Sequence, residues 1–147
     1  MFRLLTIGVS AALSLSACSA GEAQSAKTLE VTESLFSGQW VNDRNSAVTF
    51  TEKDGLLSGF YQTALGQPDK SKQFPLTGFV EGDQITFTVN FKGYGSLTSW
   101  TGQMSEDDKG VYIRTLWNLT RDVSDDKEDD DLWNSITSGA SDFRRMK

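Results

Sequence analysis

Apolar and polar residues alternate with a period of two through short runs of the chain, beginning near residue 38. Such alternation puts successive side chains on opposite faces of an extended backbone. It predicts about eight short strands. They are placed near Gly38–Asn42, Ala47–Glu52, Leu57–Ala64, Lys72–Phe79, Gln84–Lys92, Ser96–Met104, Val111–Thr120 and Ser138–Arg145. Turn residues separate them at hairpin spacing, among them Asn42-Asp43, Asp54-Gly55, Gly66, Glu81-Gly82-Asp83, Gly93 to Gly95 and Lys109-Gly110. No helical crossover intervenes, so a parallel sheet is not expected. The expected fold class is all-β, an eight-stranded antiparallel up-and-down β-barrel. Closure removes the sheet edges and leaves an interior that can hold one small ligand. The acidic stretch Asp125 to Asp131 interrupts the scheme as a loop, and Leu132 to Ile136 is read as a helical turn after it.

The faces of these strands carry more than core. In Ser96 to Gln103, SLTSWTGQ, one face presents Ser96, Thr98 and Trp100. Buried hydroxyls need partners, and Val or Ile would pack there without that cost. Hydroxyls beside an indole suit a pocket that hydrogen-bonds a ligand at one end and stacks on it at the other. Gly102 marks a bend or a close backbone approach. Trp40 shares a face with Asn42, Tyr61 with Thr63, Phe87 and Val89 with Phe91, and Trp117 with Leu119. Each pair alone also fits an ordinary barrel core with β-favourable hydroxyls; the recurrence across strands argues for a lined cavity.

The 147 residues suffice for one domain with a real core. A net charge of −6 argues against nucleic acid as a partner. The absence of His removes the usual general base and the commonest metal ligand. The single cysteine, Cys18, excludes an internal disulfide and a cysteine metal cluster.

Residues 1–18 read as a targeting segment: Arg3 gives a basic start, and Leu4 to Ala17 is an apolar run of signal-peptide length. Leu15-Ser16-Ala17-Cys18 resembles the bacterial lipobox, in which the cysteine becomes lipidated; an ordinary signal cut after Ala17 or Ala20 is the other reading. Either makes the mature chain an exported one, as a cell-envelope lipoprotein or as a secreted protein. Residues 19–34 are small and polar and read as a flexible tether, and the folded domain is expected to span 35–147.

GQWVNDRNS at Gly38 to Ser46, SGFYQTALG at Ser58 to Gly66, FTVNFK at Phe87 to Lys92 and SLTSWTGQ together resemble the avidin and streptavidin family, in the family's order. TLWNL at Thr115 to Leu119, then Trp133, and the segment Gly139 to Phe143 continue the resemblance, which covers the chain from about Phe36 onward. The resemblance implies a biotin site. Asn42, Ser46 and Tyr61 match positions that donate hydrogen bonds to the ureido oxygen, where convergent donors stabilise negative charge. Thr63 matches the acceptor of one ureido N–H, and Thr98 a hydroxyl near the thioether sulfur. Ser96 and the loop residues Leu65, Gly66 and Gln67 match groups that hold the valerate carboxylate and close over the ligand. Phe91, Trp100 and Trp117 match the aromatic wall, which Leu119 adjoins. Trp133 matches a tryptophan lent by a neighbouring subunit, so a homotetramer is favoured, with a dimer as the alternative.

The chain departs from the family pattern at two positions. Phe91 stands where avidin and streptavidin have Trp, a loss of contact area without a change of character. Ser141 stands where the family has an Asp or Asn that accepts the second ureido N–H. A slip of one residue would bring in Asp142, but would turn the strand's side chains to the wrong faces. Weaker binding than the family's best is therefore expected.

The acidic run SDDKEDDD offers carboxylates for Ca²⁺ but lacks the glycine and spacing of an EF-hand loop, so no metal site is expected and a solvated loop is favoured. The sequon Asn118-Leu119-Thr120 lies mid-strand and is discounted. The favoured function is non-catalytic sequestration of biotin, without a cofactor and with no membrane contact beyond a lipid on Cys18. An exported hydrolase on a barrel scaffold is disfavoured by the lack of His and of paired inward carboxylates. A barrel that takes another small ligand, or serves as an envelope interaction module, is the alternative, and Ser141 is its main support.

Overall fold

The computed structural model describes residues 34–146. The expected signal segment, Cys18 and nearly all of the expected tether lie outside the described residues. Eight antiparallel strands pair in sequence order and close into a barrel: β1 Gly38–Asn42, β2 Ala47–Lys53, β3 Leu56–Gln62, β4 Phe74–Glu81, β5 Gln84–Phe91, β6 Ser96–Asp107, β7 Gly110–Arg121 and β8 Ile136–Arg145. Closure comes from β1 against β8, in register Trp40 with Arg145 and Asn42 with Phe143.

Alternation sets which face is inside. In β4, FPLTGFVE, every second residue from Phe74 is buried and the others are exposed. The core collects Trp40, Phe50, Leu57, Phe74, Phe87, Ile113 and Phe143 from strands all around the barrel. Phe36, ahead of β1, is also fully buried, and its carbonyl accepts from the Trp40 indole N–H at 2.7 Å. Ser34 is fastened too: its hydroxyl donates to the Glu52 carboxylate and accepts from the Ser37 amide at 3.1 Å.

The two ends of the barrel differ. β2–β3, β4–β5 and β6–β7 are joined by two-residue turns, whereas the opposite end carries the longer connections 43–46, 63–73, 92–95 and 122–135. The first tight turn uses Asp54 and Gly55 at φ 54° and 77°, both in the left-handed region that an Asp-Gly hairpin supplies at little cost. Gly102 marks a close approach: a Cβ there would overlap the Arg114 carbonyl and crowd the Thr115 methyl at 2.7 Å.

Several strand ends differ from expectation. β6 and β7 run on to Asp107 and back from Gly110, because ladder pairing continues through Ser105–Tyr112 and Glu106–Val111 although polar residues there break the apolar pattern. Arg144 of β8 braces this extension, its Nη2 lying 2.5 Å from Asp107 Oδ2, and that hydrogen bond holds the Asp107 carboxyl below its ordinary range. β3 ends at Gln62, which leaves Thr63 and Ala64 in a loop, and β4 starts at Phe74, which leaves Lys72 outside the ladder. The acidic stretch is more helical than expected: a 3-10 turn Asp125–Lys127, a single α turn Glu128–Asp131 and a 3-10 turn Leu132–Asn134 precede β8. β8 therefore begins two residues earlier than the alternation suggested.

Candidate binding site

The end with the long connections opens into a cavity of about 480 Å³. β1 and its turn supply Asn42 and Ser46, and β3 with the loop after it supplies Tyr61, Thr63, Leu65, Gly66 and Gln67. β5 and β6 supply Phe91, Ser96, Thr98 and Trp100; β7 supplies Trp117 and Leu119, and β8 supplies Ser141. All the nominated site residues except Trp133 thus line one space.

The polar corner is ordered by the turn after β1. Asn42 Oδ1 accepts from the backbone N–H of Ser46 at 2.8 Å and of Arg44 at 3.0 Å. Two donors on one atom fix the orientation of the amide, so Nδ2 is the end that faces Tyr61, donating to its hydroxyl at 3.4 Å. Ser46 is buried, and its oxygen accepts from the Ala64 amide at 3.0 Å, which leaves its own proton to donate. Burial pushes the Tyr61 phenol above its ordinary 10.0, and Ser46 and Asn42 offset part of that rise. The phenol therefore stays protonated at neutral pH. Three donors, from an amide and two hydroxyls, cluster in one partly dehydrated corner.

Against this corner stands an aromatic wall. Trp100 stacks on Phe87 with centroids 4.8 Å apart and planes 9° apart, and leans on Tyr61 at 5.1 Å. Phe91 meets Tyr61 and Phe74 edge-on, at 5.9 and 4.9 Å. The Trp100 indole N–H is buried and has no hydrogen-bond partner among the described residues. Such a donor costs free energy for want of an acceptor.

Ser141 is only 3% exposed and faces inward, while its carbonyl accepts from Thr115 Oγ1 at 2.8 Å. Asp142 points out and pairs with Arg114, whose Nε and Nη2 each lie 3.2 Å from its carboxylate. The interior thus receives a hydroxyl and not a carboxylate at this point of β8. Thr63 Oγ1 donates to the Leu65 carbonyl at 3.0 Å and accepts from the Leu65 amide at 3.1 Å, so its hydroxyl is engaged by its own loop. Trp133 lies on the last 3-10 turn, is 79% exposed and does not line the cavity of its own barrel.

Four further residues line the cavity: Arg44, Pro68, Tyr94 and Arg121. Sequence reasoning passed over them because Arg44, Pro68 and Tyr94 lie in connections and not on strand faces, while Arg121, although on the face of Trp117 and Leu119, falls one residue past the expected strand end at Thr120. Arg44 lies within the turn that Asn42 and Ser46 bracket, and Tyr94 lies in the turn following Phe91; those positions were the available signals. Gly139 was also missed as a support of the wall. A Cβ there would fall within the Trp117 indole, so only glycine lets that ring lie flat on β8. Among the described residues, no group of three or more His, Cys, Asp or Glu is arranged to hold a metal ion.

A sequence model of the Avidin family matches residues 30–146. The chain belongs to the avidin family. Avidin of Gallus gallus is 32% identical to it over 122 residues, which span 76% of this chain and 78% of that protein. Among solved structures, the biotin binding protein from chicken superposes with a TM-score of 0.66 at 30% identity, over 77% of this chain and 97% of the other. A rhizavidin–biotin complex gives a TM-score of 0.63 at 27% identity, covering 75% of this chain and 99% of that one. The barrel and the cavity at its open end lie within the residues that the family model matches.

Proposed function

We propose that the barrel mouth binds biotin and does not transform it, and that the exported protein serves to sequester the free vitamin. The observation that carries this reading is the cluster of Asn42 Nδ2, Ser46 Oγ and Tyr61 Oη beside the Trp100 wall. A cyclic urea presents one carbonyl oxygen with lone pairs for convergent donors, and its fused ring offers an apolar face to indoles. Relatives described as a biotin binding protein and as a biotin complex support the same ligand. Thr63 would accept one ureido N–H, Ser141 the other, and Thr98 would lie against the sulfur. Ser96 and the loop at Leu65, Gly66 and Gln67 would meet the tail.

Catalysis has little to work with. The chain has no His, and among the described residues no Asp or Glu lines the cavity. General acid–base chemistry at neutral pH therefore lacks its usual donors and acceptors. A second reading, an avidin-type barrel for another small ligand or an envelope interaction module, draws on Ser141, a weaker acceptor than a carboxylate. Export rests on residues 1–18, with Cys18 as the candidate lipid attachment.

Tyr61→Phe tests the biotin reading at its centre. It deletes one donor and keeps the ring that packs on Trp100 and Phe91. Titration with biotin is expected to show affinity lower by about 1–3 kcal/mol, with the melting temperature of the ligand-free protein little changed. An unchanged affinity would mean that the hydroxyl does not face the ligand.

A further inference from the structure

The described residues include the arginines Arg44, Arg114, Arg121, Arg144 and Arg145. Three of them have partners. Arg114 pairs with Asp142 and Arg144 with Asp107, while Arg145 donates to the carbonyls of Ser37 and Leu35 at 2.8 and 2.7 Å. The other two, Arg44 and Arg121, make no ion pair among the described residues, and both line the cavity. Their sequence neighbours Asp43 and Asp122 do not line it. A chain of net charge −6 thus lines this cavity with two arginines and no carboxylate.

The depth of the two cations follows from burial. Asn42 and Ser46, at the feet of the first turn, are buried, whereas Arg44 between them is exposed. Its guanidinium lies over the Trp117 ring, 5.0 Å from the centroid, which holds it at the edge of the wall. Arg121 is exposed at the last position of β7, opposite Ser96 in the ladder, and Ser96 also lines the cavity. Hydrogen-bond donors for a neutral head therefore sit deep, and fixed positive charge sits at the rim. Biotin has that polarity: a neutral ureido ring at one end and an ionised carboxylate at the end of a flexible chain.

We propose that Arg44 and Arg121 make this site selective for free biotin, by pairing with its ionised carboxylate, over biotin whose carboxyl is capped as an amide. The inference rests on the biotin reading and adds to it the form of biotin that is taken. Free acid is retained, and biotinyl groups already attached to amines are discriminated against. The arginines are partly solvated, so each contributes modestly and is screened by salt. Together they should favour the acid over its primary amide by about tenfold at low ionic strength, since each tenfold step needs only a small free-energy difference.

The test is calorimetric titration of the ligand-free protein with biotin and with biotin amide, at low salt and at high salt. It is repeated on Arg44→Gln, Arg121→Gln and the double variant, with a thermal melt to confirm folding. The expected result is an acid-to-amide affinity ratio of about ten in the wild type. The ratio should shrink in high salt and approach one in the double variant, because the acid loses more than the amide. Equal binding of acid and amide by the wild type, or an unchanged ratio in a folded double variant, would overturn the selectivity and leave the biotin reading standing. If neither compound binds, the biotin reading itself falls, and the selectivity with it.

Discussion

Replacing Phe87 with alanine should lower stability by about 3–5 kcal/mol and weaken ligand binding in the same variant. Phe87 is fully buried and stacks on Trp100, while Phe50 and Phe143 meet it edge-on at 5.0 and 6.0 Å. It therefore joins β2, β5, β6 and β8 across the barrel interior. Truncation removes the transfer energy of a ring and leaves a void that a closed barrel can collapse only partly. The void lies directly behind Trp100, so the indole would gain room to tilt and the wall would lose its alignment. Denaturant unfolding should show a lower midpoint with an unchanged slope. A loss below about 1 kcal/mol would show that the interior repacks freely, contrary to the stacked arrangement.

Trp133→Ala is expected to act between subunits. The indole is 79% exposed, and Leu132 and Ile136 beside it are exposed as well. Exposed apolar residues grouped next to a binding site mark a surface that meets a partner, and tryptophan is enriched among residues that dominate interfaces. We expect the folded protein to assemble as a tetramer, each Trp133 reaching the mouth of an adjacent barrel. Trp133→Ala should then weaken association by about 2–4 kcal/mol and lower biotin affinity with it. Light scattering of wild type and variant, paired with biotin titration, reads both effects. A wild-type monomer at micromolar concentration that still binds biotin tightly would sink the shared site. So would a stable dimer whose affinity ignores this substitution.

Alternation made the barrel legible, because each strand has one wet face and one dry face. β4 shows why: its period-two pattern has no other structural solution that buries Phe74, Leu76, Gly78 and Val80 together. Where that contrast fades, the sequence loses its hold. The outer end of β6, Ser105 to Asp107, is polar and exposed, so its pairing left no apolar trace. The short helical turns at Asp125–Lys127 and Glu128–Asp131 bury nothing, and so have no periodicity to read. The cavity residues on strands were found by face and by family resemblance. Arg44 and Arg121 were not, since a charge in a turn or at a strand end is ordinarily a solvated one. Only the closed structure shows that these two arginines look into the same space as Trp117 and Ser96.

Isothermal calorimetry on protein shown to be free of ligand decides whether the open end of this barrel is a biotin site. Biotin should give a saturable heat with one site per barrel. Desthiobiotin, which keeps the ureido ring and lacks the sulfur that Thr98 would meet, should bind the same site more weakly. The absence of any binding heat or competition with either compound at millimolar concentration, in protein confirmed to be folded, would contradict the account.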